Sequence, residues 1–329
     1  MAPTFPSPRL PMVALLLVSI LLGWQCPPAA ALVVVPHGTI NNQLAPADDP
    51  GWLNVGDNGI YLGNRWVITA AHVGALTTTF SDGRSFSVEP GSAVQLKNPS
   101  GLGLTSSTDL LMYRLTSDPG FPSLSIAPAK PAKGDPVTFI GDGGAITPTD
   151  TETHWNVTQN MDGTHTWTEV PSGGNFSGYK NTGTRKLWGT NLVENNGPIV
   201  ANDMVADVIS FYTKFDNPNG TGSTATASEA QAQGGDSGSA VFEKIGGLWL
   251  LAGVTYAVDN PVDNQPDPTS YAVYGDLTFA ADLSQYRDQI LATIPELNGF
   301  LLVGSIAAIA AIWSVAVRRR GRSILPASI

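Results

Sequence analysis

Residues 59–72 read Gly59-Ile60-Tyr61-Leu62-Gly63-Asn64-Arg65-Trp66-Val67-Ile68-Thr69-Ala70-Ala71-His72. Two short runs rich in Ile, Val and aromatics, bounded by Gly and Asn, predict two β-strands. The second run ends in small residues and then a histidine, which sets an imidazole at a strand end where a cleft can form. Outward from this stretch the same texture recurs at 85–88, 110–115, 136–140, 192–193, 205–212, 239–242 and 248–256. Each run is short and bounded by Gly, Pro, Asn or Asp. The one amphipathic helix expected before the C-terminal tail is 283–290. Many short strands with one terminal helix predict an all-β protein of the β-barrel class. Residues 146–197 are polar and rich in Gly, Thr and Asn, and are expected as long loops around one hairpin. Pro and Lys accumulate over 122–133, where a boundary between two halves is expected.

The ends differ from the interior. In residues 1–31, Arg9 precedes an apolar run from Met12 to Trp24, and Ala29-Ala30-Ala31 supply the small residues of a signal-peptide cleavage site. Cys26 is the only cysteine, so a chain cleaved after Ala31 has neither disulfides nor thiolate metal ligands. Residues 299–317 carry no charge and are long enough for a transmembrane helix. Arg318, Arg319, Arg320 and Arg322 follow, which predicts a cytoplasmic C-terminus. Of 17 basic residues, five (Arg9 and these four) lie in the ends and none of the 27 acidic residues does. Residues 32–298 therefore hold 12 basic and 27 acidic residues, a net charge of −15. That sign disfavours a nucleic-acid partner. Pro295-Glu296-Leu297, the apolar run and the arginines together resemble a PEP-CTERM sorting signal over 295–329. The resemblance implies bacterial export and removal of the tail by an exosortase-type enzyme. Leu297 stands where a second proline is commoner.

Three segments carry the chemistry: Trp66 to His72; Thr108-Asp109-Leu110-Leu111-Met112-Tyr113-Arg114-Leu115, a lone carboxylate at the lip of an apolar strand; and Gly234-Gly235-Asp236-Ser237-Gly238-Ser239-Ala240-Val241-Phe242. Acyl transfer needs these types together. A serine hydroxyl becomes a nucleophile when a neutral imidazole takes its proton, and a carboxylate fixes the tautomer and stabilises the imidazolium. Glycines beside the serine let backbone N–H groups point at a developing oxyanion, where each donor is worth about 2.7–4 kcal/mol. The other histidines, His37, His154 and His165, sit in polar sequence that reads as loop. Asp82, Asp118 and Asp142 lack so apolar a run after them. An α/β-hydrolase elbow would need glycine at Ser239 and the order Ser, Asp, His.

The three segments resemble the signature blocks of chymotrypsin-like (trypsin family) serine peptidases, in that family's order His, Asp, Ser. Residues 137–143 look like the opening strand of the family's second barrel and 283–290 like its C-terminal helix, so the resemblance runs over roughly 59–294. It implies two six-stranded β-barrels over 32–294. It also implies His72 as general base, Asp109 as its orienter, Ser237 as nucleophile, and the N–H groups of Gly235 and Ser237 as oxyanion hole. The expected function is a secreted or envelope-associated serine endopeptidase acting on polypeptides. Signal peptidase is a further expected partner, and the membrane another through the C-terminal helix. The alternative reading is a catalytically idle homologue serving as a surface adhesin or envelope-matrix component.

Three features bear on this expectation. Val73 follows His72 where many members have a cysteine. No Ile-Val-Gly-Gly-like activation terminus occurs, only Leu32-Val33-Val34-Val35-Pro36, which leaves the partner of Asp236 open. Gln231, six residues before Ser237, falls at the family's specificity-pocket floor, and a neutral amide there implies uncharged residues at the cleaved position. No cofactor is expected, although the acidic loops 259–267 and 216–222 offer oxygen ligands of the kind Ca²⁺ takes, without regular spacing.

Overall fold

The structure is a computed structural model and describes residues 32–35, 42–145, 151–180, 183–202, 205–260, 262–266 and 271–294. In chain order the first half holds β1 (Val33–Val35), a 3-10 turn (Trp52–Asn54), β2 (Val55–Gly56), β3 (Gly59–Gly63), β4 (Trp66–Ala70), β5 (Thr78–Thr79), β6 (Ser85–Phe86), β7 (Val94–Lys97) and β8 (Ser107–Arg114). The second half holds β9 (Pro136–Ala145), β10 (Thr153–Gln159), β11 (His165–Val170), β12 (Phe176–Lys180), β13 (Gly183–Leu192), β14 (Ile199–Asn202) and β15 (Asp207–Lys214). It continues with β16 (Glu229–Gln231), β17 (Ala240–Ile245), β18 (Leu248–Asp259), β19 (Tyr271–Val273), β20 (Leu277–Asp282) and helix α1 (Leu283–Thr293).

The opening stretch forms the β3–β4 hairpin. Asn64 and Arg65 both take positive φ, 47° and 67°, as a tight two-residue hairpin turn requires. Arg65 is held there by its guanidinium, which donates to Glu89 Oε2 at 2.8 Å and to the Leu115 carbonyl at 3.2 Å. Side chains alternate across β4: Val67 packs with Tyr61, Phe80 and Tyr113 on one face, and Ile68 with Ile60, Leu62 and Met112 on the other. Both faces are buried, which is why the strand reads as continuously apolar. The antiparallel sheet runs β2-β3-β4-β8-β7.

The second half is built on the order β1-β16-β13-β9-β17-β18-β20-β15-β14. A bridge between Val193, just past β13, and Thr213 on β15 joins two distant members of that row. Strands β13, β9, β17, β18, β20 and β15 thus form a ring of hydrogen-bonded neighbours, closed around Phe139, Leu187, Phe211 and Val241. A shared core joins the halves, with Ile60 and Ile68 in one cluster with Ile140, Phe242 and Val254. Residues 122–133 cross between them: Leu124 N–H donates to the Leu62 carbonyl and Ala127 N–H to that of Leu251.

Helix α1 begins where Asp282 accepts the Ser284 N–H, a side-chain N-cap. Its Tyr286 is fully buried. The Tyr286 hydroxyl accepts from Thr108 Oγ1 (3.1 Å) and the Ile209 N–H (3.0 Å) and donates to Asn98 Oδ1 (2.9 Å). One phenol therefore ties the helix to both halves.

Residues 146–197 depart from the expected loops around one hairpin. β10, β11 and β12 join β19 in a separate four-stranded sheet, while β13 enters the main sheet. The physical reason is aromatic: Trp155 lies 5.9 Å from Trp167 and 5.4 Å from Tyr271, ring centre to ring centre. These rings supply a small core that the polar composition hides. Among the described residues no helix is long and apolar enough to cross a membrane. The expected signal peptide at 1–31, and the transmembrane run at 299–317 with its sorting tail, lie outside the described residues.

Candidate active site

β4 and β8 pair antiparallel with Ala70 opposite Leu110. One step on, Ala71 N–H donates to the Asp109 carbonyl at 3.2 Å. That register brings Asp109 against His72 although 37 residues separate them. Asp109 is fully buried, and both its oxygens engage the same residue. Oδ1 accepts the His72 backbone N–H at 2.8 Å, and Oδ2 lies 2.6 Å from Nδ1. This pairing assigns the ring proton to Nδ1 and leaves Nε2 as the acceptor. The His72 side chain keeps 34% of its surface exposed and lines a cavity of about 600 Å³.

Ser237 sits in a tight turn. Asp236 N–H donates to the Gln233 carbonyl and Ser239 N–H to that of Asp236, both at 3.0 Å. Gly238 N–H donates to the Thr255 carbonyl at 2.8 Å, tying the turn to β18. Gly235 and Gly238 have φ of 104° and 90°, a region that favours glycine. At Gly238 space matters too, since a Cβ would stand 2.5 Å from Thr69 Oγ1. The serine turn is thus pressed against the strand end that presents His72. Ser237 Oγ reaches the Tyr256 carbonyl at 3.5 Å, and Tyr256 also lines the cavity beside His72. Among the described residues the N–H groups of Gly235 and Ser237 have no acceptor within the protein.

Asp236 is 1% exposed, and its Oδ2 accepts the Gln233 N–H at 2.8 Å. Its other oxygen lies 2.8 Å from where a Gly141 Cβ would be, and Leu32 Cγ is 3.2 Å from the same point. Gly141 therefore makes room for the carboxylate and the Leu32 side chain together. Leu32 is fully buried.

Gln231 does not line either cavity. It belongs to β16, opposite Val33, is 1% exposed, and gives its amide N–H to the Leu277 carbonyl at 3.2 Å. The smaller cavity, about 80 Å³ beside Ser237, begins one residue later at Ala232 and is also walled by Thr255, Ala257 and Val258. Counting back from the serine missed this because strand register turns Gln231 away. Thr69, Tyr256 and Val258 carried no sequence signal, since only tertiary packing sets them beside Ser237.

The competing side chains have structural work. Asp118 accepts the Tyr61 hydroxyl at 2.7 Å, and Asp82 pairs with Arg84 at 2.6 Å. His154 and His165 lie in β10 and β11 rather than loops; His37 is outside the described residues. In the 216–222 loop Asp216 is paired with Lys214 at 2.9 Å. Among the described residues no group of three His, Cys, Asp or Glu is placed to hold a metal ion.

An all-β, chymotrypsin-like fold with one C-terminal helix defines the class: a serine-type peptidase. The chain belongs to the trypsin family, whose family model, described as Trypsin, matches residues 51–278. No curated protein matches it. Among solved structures it is similar to the NS6 protease from murine norovirus 1, at 17% identity and a TM-score of 0.35, over 73% of this chain and 93% of that one. It is also similar to Rv3671c from M. tuberculosis H37Rv, a serine-to-alanine mutant in an inactive form, at 13% identity and a TM-score of 0.36, over 71% and 79% of the two chains.

Proposed function

We propose that this protein is an exported serine endopeptidase built on two six-stranded barrels, working through an acyl-enzyme formed on Ser237. The observation that carries this reading is the double hold of buried Asp109 on His72, beside a serine turn packed against the same strand end. In the proposed mechanism, Ser237 Oγ attacks the scissile carbonyl carbon as its proton passes to His72 Nε2. Asp109 stabilises the imidazolium through Nδ1–H. The carbonyl oxygen becomes an oxyanion facing the N–H groups of Gly235 and Ser237. The C–N bond then breaks as Nε2–H gives its proton to the leaving amine, and water hydrolyses the ester by the same route in reverse.

Signal peptidase cleavage after Ala31 would make Leu32 the first residue. Its side chain and the Asp236 carboxylate converge on Gly141, and we assign the new Leu32 ammonium as the cation facing Asp236. The sorting tail and its removal by an exosortase-type enzyme complete the proposed route to the cell envelope.

The test is labelling by a fluorophosphonate probe. Wild type should label, Ser237→Ala should not, and Asp109→Asn should label and hydrolyse about 10⁴-fold more slowly because the wrong tautomer is held. A folded wild type that does not label would favour the idle adhesin or envelope-matrix reading instead.

A further inference from the structure

Two cavities flank the serine–histidine pair, and they differ sharply in size. The one beside Ser237 is about 80 Å³. The one beside His72 is about 600 Å³, within the range of about 300–1,000 Å³ that holds whole small ligands. Both are lined by Tyr256, Ala257 and Val258. The partition arises from an irregularity in β18. Its ladder with β20 slips between Thr255 and Ala257, which re-aims neighbouring side chains as bulges next to active sites do. Val258 then lines both spaces, and its β-branched side chain has little rotamer freedom with which to yield.

The linings are also distinct. Around the small cavity Ala232, Ala257 and Val258 present methyl groups beside the polar side chains of Gln233 and Thr255. The one carboxylate there, Asp236, is turned to the Gln233 N–H and toward Gly141. The large cavity is walled by Ala201, Val205, Val258 and Phe279, with Asn202 and Asp259 contributing polar groups.

We propose, resting on the peptidase reading above, that the substrate is a polypeptide cleaved after a small aliphatic residue such as Ala or Val. A second, bulky apolar side chain of the same peptide fills the large cavity. Val258 sets the limit on the first and supports the second. The narrow space beside Ser237 favours such a residue over an aromatic ring, a lysine or an arginine.

The experiment uses unlabelled mature protein, with the reactivity of each preparation checked on a separate aliquot by the fluorophosphonate probe, and a peptide panel varied at the cleaved position (Ala, Val, Phe, Lys) with Leu or Ser at each of the neighbouring positions. Wild type should cleave after Ala and Val, and faster where a Leu replaces Ser at one neighbouring position. Val258→Gly, with Val258→Ala as the milder change should glycine weaken the strand, should shift kcat/KM toward Phe relative to Ala by about 10–200-fold, the scale of a methylene-sized pocket change. Phe279→Ala should erase the advantage of the neighbouring Leu. Preferred cleavage after Phe or Lys by wild type overturns the proposal, as does an unchanged Phe-to-Ala ratio in both Val258 variants. A preparation whose test aliquot labels but whose unlabelled remainder leaves every Ala and Val peptide intact overturns it too, while the peptidase reading stands. A wild type whose aliquot does not label brings down both.

Discussion

At the scale of single residues, the site depends on side chains that are absent as much as on those present. Gly238 is the clearest case, with a φ of 90° and a Cβ position 2.5 Å from Thr69 Oγ1. Gly238→Ala should displace the Ser237 turn from the His72 strand end. The expected result is a loss of kcat of about 10²-fold, the scale of a 1 Å misplacement, at near-native secondary structure. Thr69→Ala on that background should recover part of the loss, because it removes the clash but not the backbone strain. Equal activity of Gly238→Ala and wild type would show that the close approach is unimportant. His72, Asp109 and Ser237 were legible because each follows or opens a strand with an unmistakable local pattern. Thr69 was not, since its role is to sit under a glycine 169 positions away.

Elements were legible where one rule acted alone. The β3–β4 hairpin and α1 follow the expected runs because alternation and capping are local. β10 to β12 were read as loops because Gly, Asn and Thr dominate them. Their strands are held by Trp155, Trp167, Phe176 and Tyr271 packing on one another, and Tyr271 comes from a distant part of the chain. β1 is a second element whose importance is tertiary. Leu32, Val33 and Val35 are fully buried, and β1 pairs antiparallel with β16 just before the serine turn. Each such side chain contributes about 1.5–3 kcal/mol by burial. A chain starting after Val35 should therefore melt well below one beginning at Leu32 and lose hydrolysis with it. A chain beginning at Leu32 should be more active than one retaining residues before it. Equal activity of the two would remove the proposed pairing of the Leu32 ammonium with Asp236.

At the scale of the whole molecule, three buried carboxylates tie stability to pH. Burial pushes Asp276 and Glu229 up to about 7, against their hydrogen bonds from Val273 and Gln265 and from Thr226 and Asp216. Burial first, then the nearby Asp135 and Asp282 charges, raise Glu243 to about 7 as well. In the unfolded chain such groups titrate at about 3.9 and 4.3. Between about pH 4 and pH 7 the native state therefore holds more protons than the unfolded state, so stability falls as pH rises through that window. Below it the contribution is fully present. The melting temperature should accordingly be higher at pH 5 than at pH 8. Asp276→Asn keeps an oxygen for the Val273 N–H and Gln265 amide and removes one titration. It should flatten the profile and stabilise the fold at pH 8 by on the order of a few kcal/mol, read as a higher melting temperature there. A melting temperature independent of pH over 5–8 in wild type would contradict the assignment.

The sequence by itself determined the all-β class, the terminal helix, the three chemical segments and their order, because strand alternation, capping and the residue types of acyl transfer are written locally. Tertiary structure alone decided that Asp109 grips His72 through both oxygens, since that follows from the β4–β8 register. It also decided that Gln231 is buried with its amide on the Leu277 carbonyl while Val258 lines both spaces of the cleft. Register and strand slippage fix which face a side chain takes, and a shift of one residue reverses it.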